Sequence, residues 1–279
     1  MRWWSTATAL VLLLGGCGGD DPVTPTPTDG DADDDAFAVD GTDTNAAESD
    51  VQLVASSLIS SSTAGEIGLE LGRPDMGTAD DGVGEVAIYL PRRCATVQRD
   101  PAKKTTVTYT FAGCLGPAGL RNVTGEVTAT YRIEQKVLSL DITFANLAVN
   151  EATVSGTASA DVTPDGATRT MRWDASITGT TARGRTFTRK RRSTIIWTVG
   201  DACYTLDGAS EGDVKNETIK VEVTGFRRCR RGCPDAGGKV SITKVSKNRT
   251  ITLAYDGSNR ATFTNAKGIA RTVALLCRP

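Results

Sequence analysis

The sequence predicts an all-β protein: an antiparallel meander of about a dozen strands forming a curved sheet, sandwich or partial barrel. A disordered acidic tether and one short helix precede it. Three observations carry this. From about residue 86 apolar and polar residues alternate with period two, the signature of half-buried strands. Short turn signals such as Asp165-Gly166 and Asp256-Gly257-Ser258-Asn259 separate the runs. No helical segment of 10–15 residues lies between them, which favours an antiparallel meander over a parallel α/β sheet.

Taken in order, the chain opens with Arg2 and the apolar run Ala7–Leu14, broken only by Thr8. That run is too short for a membrane span, which needs about 20 apolar residues, and it fits the core of an export signal. Leu14-Gly15-Gly16-Cys17 closes it and resembles a bacterial lipoprotein processing box. The resemblance implies a signal peptide over 1–16 and an acylated Cys17. Two or more acyl chains anchor a protein stably to a membrane. Gly18, not Asp, follows the cysteine; by analogy with Gram-negative sorting this favours the outer membrane.

Residues 17–50 read as the lipidated tether. Pro22, Pro25 and Pro27 alternate with Thr, and an acidic run follows. Low hydrophobicity with high net charge does not offset the entropy of folding. Within 51–90 a short helix and loops are expected. The helix is drawn from 46–60, where Ala47, Val51, Val54 and Leu58 recur at helical spacing. The β domain occupies 91–279. Within it Val107, Tyr109 and Phe111 alternate with threonines, as do Val127, Ala129 and Tyr131; Leu138, Leu140, Ile142 and Phe144 repeat the pattern.

Charge is divided unevenly. Residues 18–90 hold 17 Asp/Glu and one basic residue, whereas 91–279 hold 30 Lys/Arg and 16 Asp/Glu. An acidic N-terminal region is thus joined to a basic domain, which points to an interaction role. Histidine is absent. That excludes Ser-His-Asp and Cys-His catalysis and any imidazole metal site. No cofactor is expected, and the Gly-rich stretches lack the spacing of a nucleotide loop.

Apart from Cys17 the cysteines are Cys94, Cys114, Cys203, Cys229, Cys233 and Cys277, an even set in an exported chain, which suggests disulfides. Cys94 and Cys114 bracket one strand and are expected to pair, a loop closure that stabilises by about 3 kcal/mol. Cys203–Cys229 and Cys233–Cys277 are the expected remaining bonds, although spacing alone does not choose the pairing. The rival is a zinc site at Cys229 and Cys233, whose spacing fits loosely.

The sharpest chemical feature is basic: Arg183, Arg185, Arg189, Lys190, Arg191 and Arg192, then Arg227, Arg228, Arg230 and Arg231 around Cys229. On a strand Arg183, Arg185, Arg189 and Arg191 fall on one face. Such a row could bind phosphates or sulfates bidentately, with anionic polysaccharide, lipopolysaccharide or extracellular DNA as partners. Two other readings stand beside it: a solvated sheet face, and docking of the acidic arm within the chain. Glu134, Asp141, Asp174, Asp207 and Glu211 could include a glycosidase-type carboxylate pair, but their spacing singles out no two.

Val154-Ser155-Gly156-Thr157, the strand end Trp197-Thr198-Val199-Gly200, Cys233-Pro234 running into Gly237-Gly238-Lys239-Val240, Ala254-Tyr255-Asp256-Gly257 and the near-terminal Cys277 give 91–279 a further likeness. This region resembles β-rich lipoproteins of Gram-negative bacteria, of surface or outer-membrane type. The resemblance implies class and location and brings no activity with it. The expectation is an envelope protein anchored to the membrane through lipid, with a non-enzymatic structural or binding domain. The alternative is an exported carboxylate hydrolase acting on polysaccharide.

Overall fold

The computed structural model describes residues 38–55 apart from 39, 42 and 53. It also describes 89–275 apart from 104, 117–119, 199–202 and 230–232. The expectations for the signal peptide, Cys17, Arg230, Arg231 and Cys277 lie outside these residues.

Thirteen antiparallel strands form one sheet in sequence order. β1 (Ala95–Arg99) and β2 (Thr106–Cys114) open it, followed by the long β3 (Val123–Glu134), β4 (Val137–Val149) and β5 (Ala152–Asp165). β6 (Thr168–Thr180), β7 (Thr186–Thr198), β8 (Cys203–Val214) and β9 (Glu217–Cys229) make its centre. β10 (Lys239–Lys244), β11 (Arg249–Tyr255), β12 (Arg260–Thr264) and β13 (Ala270–Ala274) finish it. β1 and β13 do not pair, so the expected meander is one open sheet and not a sandwich.

Two-residue turns set much of the register. Gln135-Lys136, Asn150-Glu151 and Lys215-Asn216 all take positive φ, the pattern whose twist matches that of the flanking strands. Alternation then sends one face of every long strand inward. A single inward row runs Val107, Ala129, Ile142, Ala158, Ala175, Arg191, Ser210, Val221, Ile242, Ile251 across ten strands. The apolar members belong to one continuous core. Shifts of register at Ala112/Cys114, Thr124/Glu126, Phe144/Leu147 and Leu206/Gly208 add local bend. Gly125 sits at one of them with φ 108°, and a Cβ there would lie 2.4 Å from the Asn146 carbonyl oxygen.

The inward face encloses a helix, α1, over residues 38–55. Thr44, Asn45, Ala46, Ala47 and Glu48 are consecutive and all buried. Five successive residues sweep more than a full helical turn, so protein surrounds this turn of the helix on every side. This corrects two expectations. The tether is expected to run to 50, but the described residues of 38–50 are helical, and most of them are buried. The helix also starts before 46 and ends its described course at 55. A short, isolated acidic helix is marginal in water, and α1 gains its stability from the sheet around it.

Candidate functional site

Strand β7 decides where the arginines go. Phe187, Arg189, Arg191 and Ser193 point inward and are buried, while Lys190 and Arg192 point outward. The expected four-arginine face is therefore corrected. Arg189 and Arg191 share the inner face, and there they meet α1. Arg183 and Arg185 lie in the turn before β7 and reach the same helix from its end.

Arg189 is fully engaged. Its Nε donates to Glu48 Oε1 at 3.0 Å, one Nη donates to the Ile219 carbonyl at 2.6 Å, and the other donates to Ser210 Oγ at 2.6 Å. Arg191 is held more loosely. One Nη lies 3.5 Å from Glu48 Oε2 and 3.3 Å from Asn45 Oδ1, and its buried Nε has no partner. Burial pushes the Arg191 guanidinium below its usual pKa; Glu48 opposes that shift and Arg189 adds to it. Arg183 pairs with Asp43 at 3.3 Å, and Arg185 pairs with Asp40. Burial raises the Asp43 carboxyl and Arg183 draws it back.

Polar contacts continue along the helix. Gln52 donates to Ser193 Oγ at 3.2 Å, and Asn150, in the β4–β5 turn, donates to Asp50 at 2.9 Å. Burial pushes the pKa of Asp50 up to about 6, with the Asn150 bond opposing. Two buried guanidiniums thus share one carboxylate, Glu48.

The second basic group divides in the same manner. Arg227 points outward and pairs with Asp235. Arg228 is buried, and burial lowers its pKa while Tyr204 and Tyr255 raise it. Burial pushes Tyr204 up to about 12, with Arg228 opposing, and raises Tyr255 as well. Beside them Cys203 and Cys229 bond at 2.01 Å, and Cys94 bonds Cys114. Cys233 is buried, and its expected partner Cys277 is outside the described residues. Among the described residues no group of His, Cys, Asp or Glu could hold a metal ion.

The carboxylates singled out by sequence lie on the outer face or at its turns. Asp141 pairs with Arg132 at 2.8 Å, and Glu134 sits at the β3–β4 turn. Glu211 stands between Lys190 and Lys220 in register. Asp174 and Asp207 line one shallow depression of about 420 Å³ with Asp161, Arg172 and Arg192. Each acid there is engaged: Asp174 with Arg192 at 2.8 Å, Asp207 with the Gly225 amide at 2.6 Å, and Asp161 with Ser139 at 2.6 Å.

Of the three readings of the arginines, docking within the chain matches the contacts of Arg183, Arg185, Arg189 and Arg191 with α1. A signal for it is present. Phe187, Ile195 and Trp197 share the odd phase of Arg189 and Arg191, so the apolar phase of β7 already marks those arginines as inward. The chain matches no family model, no curated protein and no solved structure.

Proposed function

We propose that this is an exported lipoprotein, anchored in the cell envelope through Cys17, with the outer membrane favoured. Its β domain is a non-enzymatic binding module whose inward arginines receive carboxylates. The anchor rests on Leu14-Gly15-Gly16-Cys17. The binding reading is carried by one observation: Glu48 lies between Arg189 and Arg191 inside the sheet.

The geometry argues against anionic polysaccharide, lipopolysaccharide or DNA binding along an outer arginine row. Only alternate members of the row face solvent, and Arg192 stands beside Asp174 while Lys190 is in register with Glu211. A carboxylate hydrolase remains the rival, resting on the depression at Asp161, Asp174 and Asp207. Asp174, Asp207 and Asp161 are engaged by Arg192, the Gly225 amide and Ser139, so this rival has less support than the Arg189–Glu48–Arg191 contact gives the binding reading.

Two experiments test the proposal. Cys17→Ala should release the protein from the membrane fraction and remove the acyl mass; unchanged partitioning would sink the anchor. Glu48→Gln leaves two buried guanidiniums without a counter-charge, and breaking a buried pair from one side costs about 3 kcal/mol or more. Denaturant unfolding reads that loss, and wild-type stability would refute the carboxylate-binding role.

A further inference from the structure

The inner face of the sheet carries two chemistries side by side. Arg189 is in register with Ile177, and Arg191 with Ala175. Beyond them lie Leu140, Ile142, Phe144 and Met171, all buried in the continuous core. Small residues flank Arg191 at Ala175 and Ser210, with Ala158 one strand beyond Ala175, which leaves room above the sheet for a second body.

α1 fits this division. It offers Glu48 and the pairs from Asp40 and Asp43 to the basic stripe. It offers Ala47, Val51, Val54 and Ala55 to the apolar core. Helix and sheet therefore meet as an anionic head with a short apolar body meets a cationic stripe beside a greasy wall. The described side chains that α1 sets in the core at Ala47, Val51, Val54 and Ala55 are small, and a buried ion pair contributes little net stability because desolvation offsets its attraction. The buried Nε of Arg191 has no partner in this arrangement. A longer aliphatic chain would bury more surface in the same place, at about 0.8 kcal/mol per CH₂. The sheet edges at β1 and β13 are not paired with each other, so an occupant can change without breaking a ladder.

We propose that the concave face is a binding site for an anionic amphiphile, a single phosphate or carboxylate head on an aliphatic chain, and that α1 occupies it in cis. The inference rests on the carboxylate-binding reading of Arg189 and Arg191. The head takes the place of Glu48 between the two guanidiniums, and the chain lies where Val51 and Val54 now lie.

The test uses the chain from residue 18, which retains every described residue. Its tryptophans are Trp173 and Trp197. Trp173 is buried beside Ser193, the acceptor of Gln52, so its fluorescence reports displacement of α1. Dodecyl phosphate, below its micelle concentration, should give a saturable change with the far-ultraviolet β signal retained. Inorganic phosphate and dodecanol should each bind at least tenfold more weakly; equal binding by phosphate alone would make the site one for free anions and overturn the amphiphile.

Glu48→Gln should bind dodecyl phosphate at least fivefold more tightly, because the competing carboxylate is gone. A second variant guards against misfolding. A Cβ on Gly41 would lie 2.6 Å from Ile242 Cγ2, so Gly41→Cys with Ile242→Cys should lock α1 in place by a disulfide. The locked chain should not bind. Binding by the locked chain, or no saturable response from either wild type or Glu48→Gln, overturns the proposal. If Glu48→Gln is destabilised yet no dodecyl phosphate binds, the amphiphile fails alone. If it keeps full stability, the carboxylate-binding reading fails with it.

Discussion

Asp50 and the two inward arginines show how individual side chains set the stability of the enclosed helix. Burial raises the Asp50 pKa from an ordinary 3.8 to about 6. The folded state therefore holds a proton that the unfolded chain releases between those values. Stability from this group is present below about pH 4 and is lost as pH rises through about 6, a change on the order of 2 to 3 kcal/mol. Asp50→Asn keeps an acceptor for Asn150 and removes the charge. It should gain about 2 kcal/mol at pH 7.5 and flatten the dependence between pH 4 and 6 in chemical unfolding. A less stable variant at pH 7.5 would contradict the assignment. The arginines should differ. Arg189→Met leaves Glu48 only the looser Arg191 contact, strands Ser210 and the Ile219 carbonyl, and should cost about 3 to 5 kcal/mol. Arg191→Met removes a guanidinium whose bonds are 3.3 and 3.5 Å and should cost about 1 kcal/mol or less. Equal losses would mean that Arg191 is held as firmly as Arg189.

At the scale of elements, the strands were legible, and so was the helix over Ala47, Val51 and Val54, but not its start. Period two over Val107–Phe111, Val127–Tyr131 and Leu138–Phe144 is a direct imprint of one wet and one dry face. Turns were read only where glycine or a loop signal marked them. Gln135-Lys136 and Lys215-Asn216 escaped because neither pair contains glycine, although Asn216 tolerates positive φ. The start of α1 escaped because its polarity suits a solvated arm, and enclosure by a basic stripe is a tertiary fact. Gly41 would also argue against a helix by propensity. Its reason is packing, since a Cβ would meet Ile242 Cγ2 at 2.6 Å. This decides the sign of a substitution. In an open helix Gly41→Ala would stabilise by about 1 kcal/mol. Inside the sheet it should destabilise by about 1 to 3 kcal/mol through overpacking. Thermal unfolding distinguishes the two, and a raised midpoint would show that α1 is not enclosed at that turn.

For the whole molecule, folding brings the two halves of the charge distribution together. Asp40, Asp43 and Glu48 from the acidic half meet Arg183, Arg185, Arg189 and Arg191 from the basic half. A tether docked loosely on an exposed arginine row would be screened beyond about 8 Å at physiological salt and would lift off as salt rises. The pairs at the centre of α1 are different. The side chains of Arg189 and Glu48 are 0% and 1% exposed, and those of Arg191 and Glu48 are 5% and 1% exposed. Ions in solution do not reach such pairs, and buried pairs are screened far less than exposed ones. The outer pairs at Arg183 and Arg185 are wetter and should carry most of the salt response, with each exposed pair worth about 1 kcal/mol or less. Raising sodium chloride from about 50 mM to about 1 M should therefore change the unfolding free energy by about 1 kcal/mol or less. Trp173 fluorescence should stay at its folded value throughout the series. A loss of more than about 2 kcal/mol, or a Trp173 change at high salt without unfolding, would mean that α1 is held as an exposed electrostatic arm and that the sheet does not enclose it.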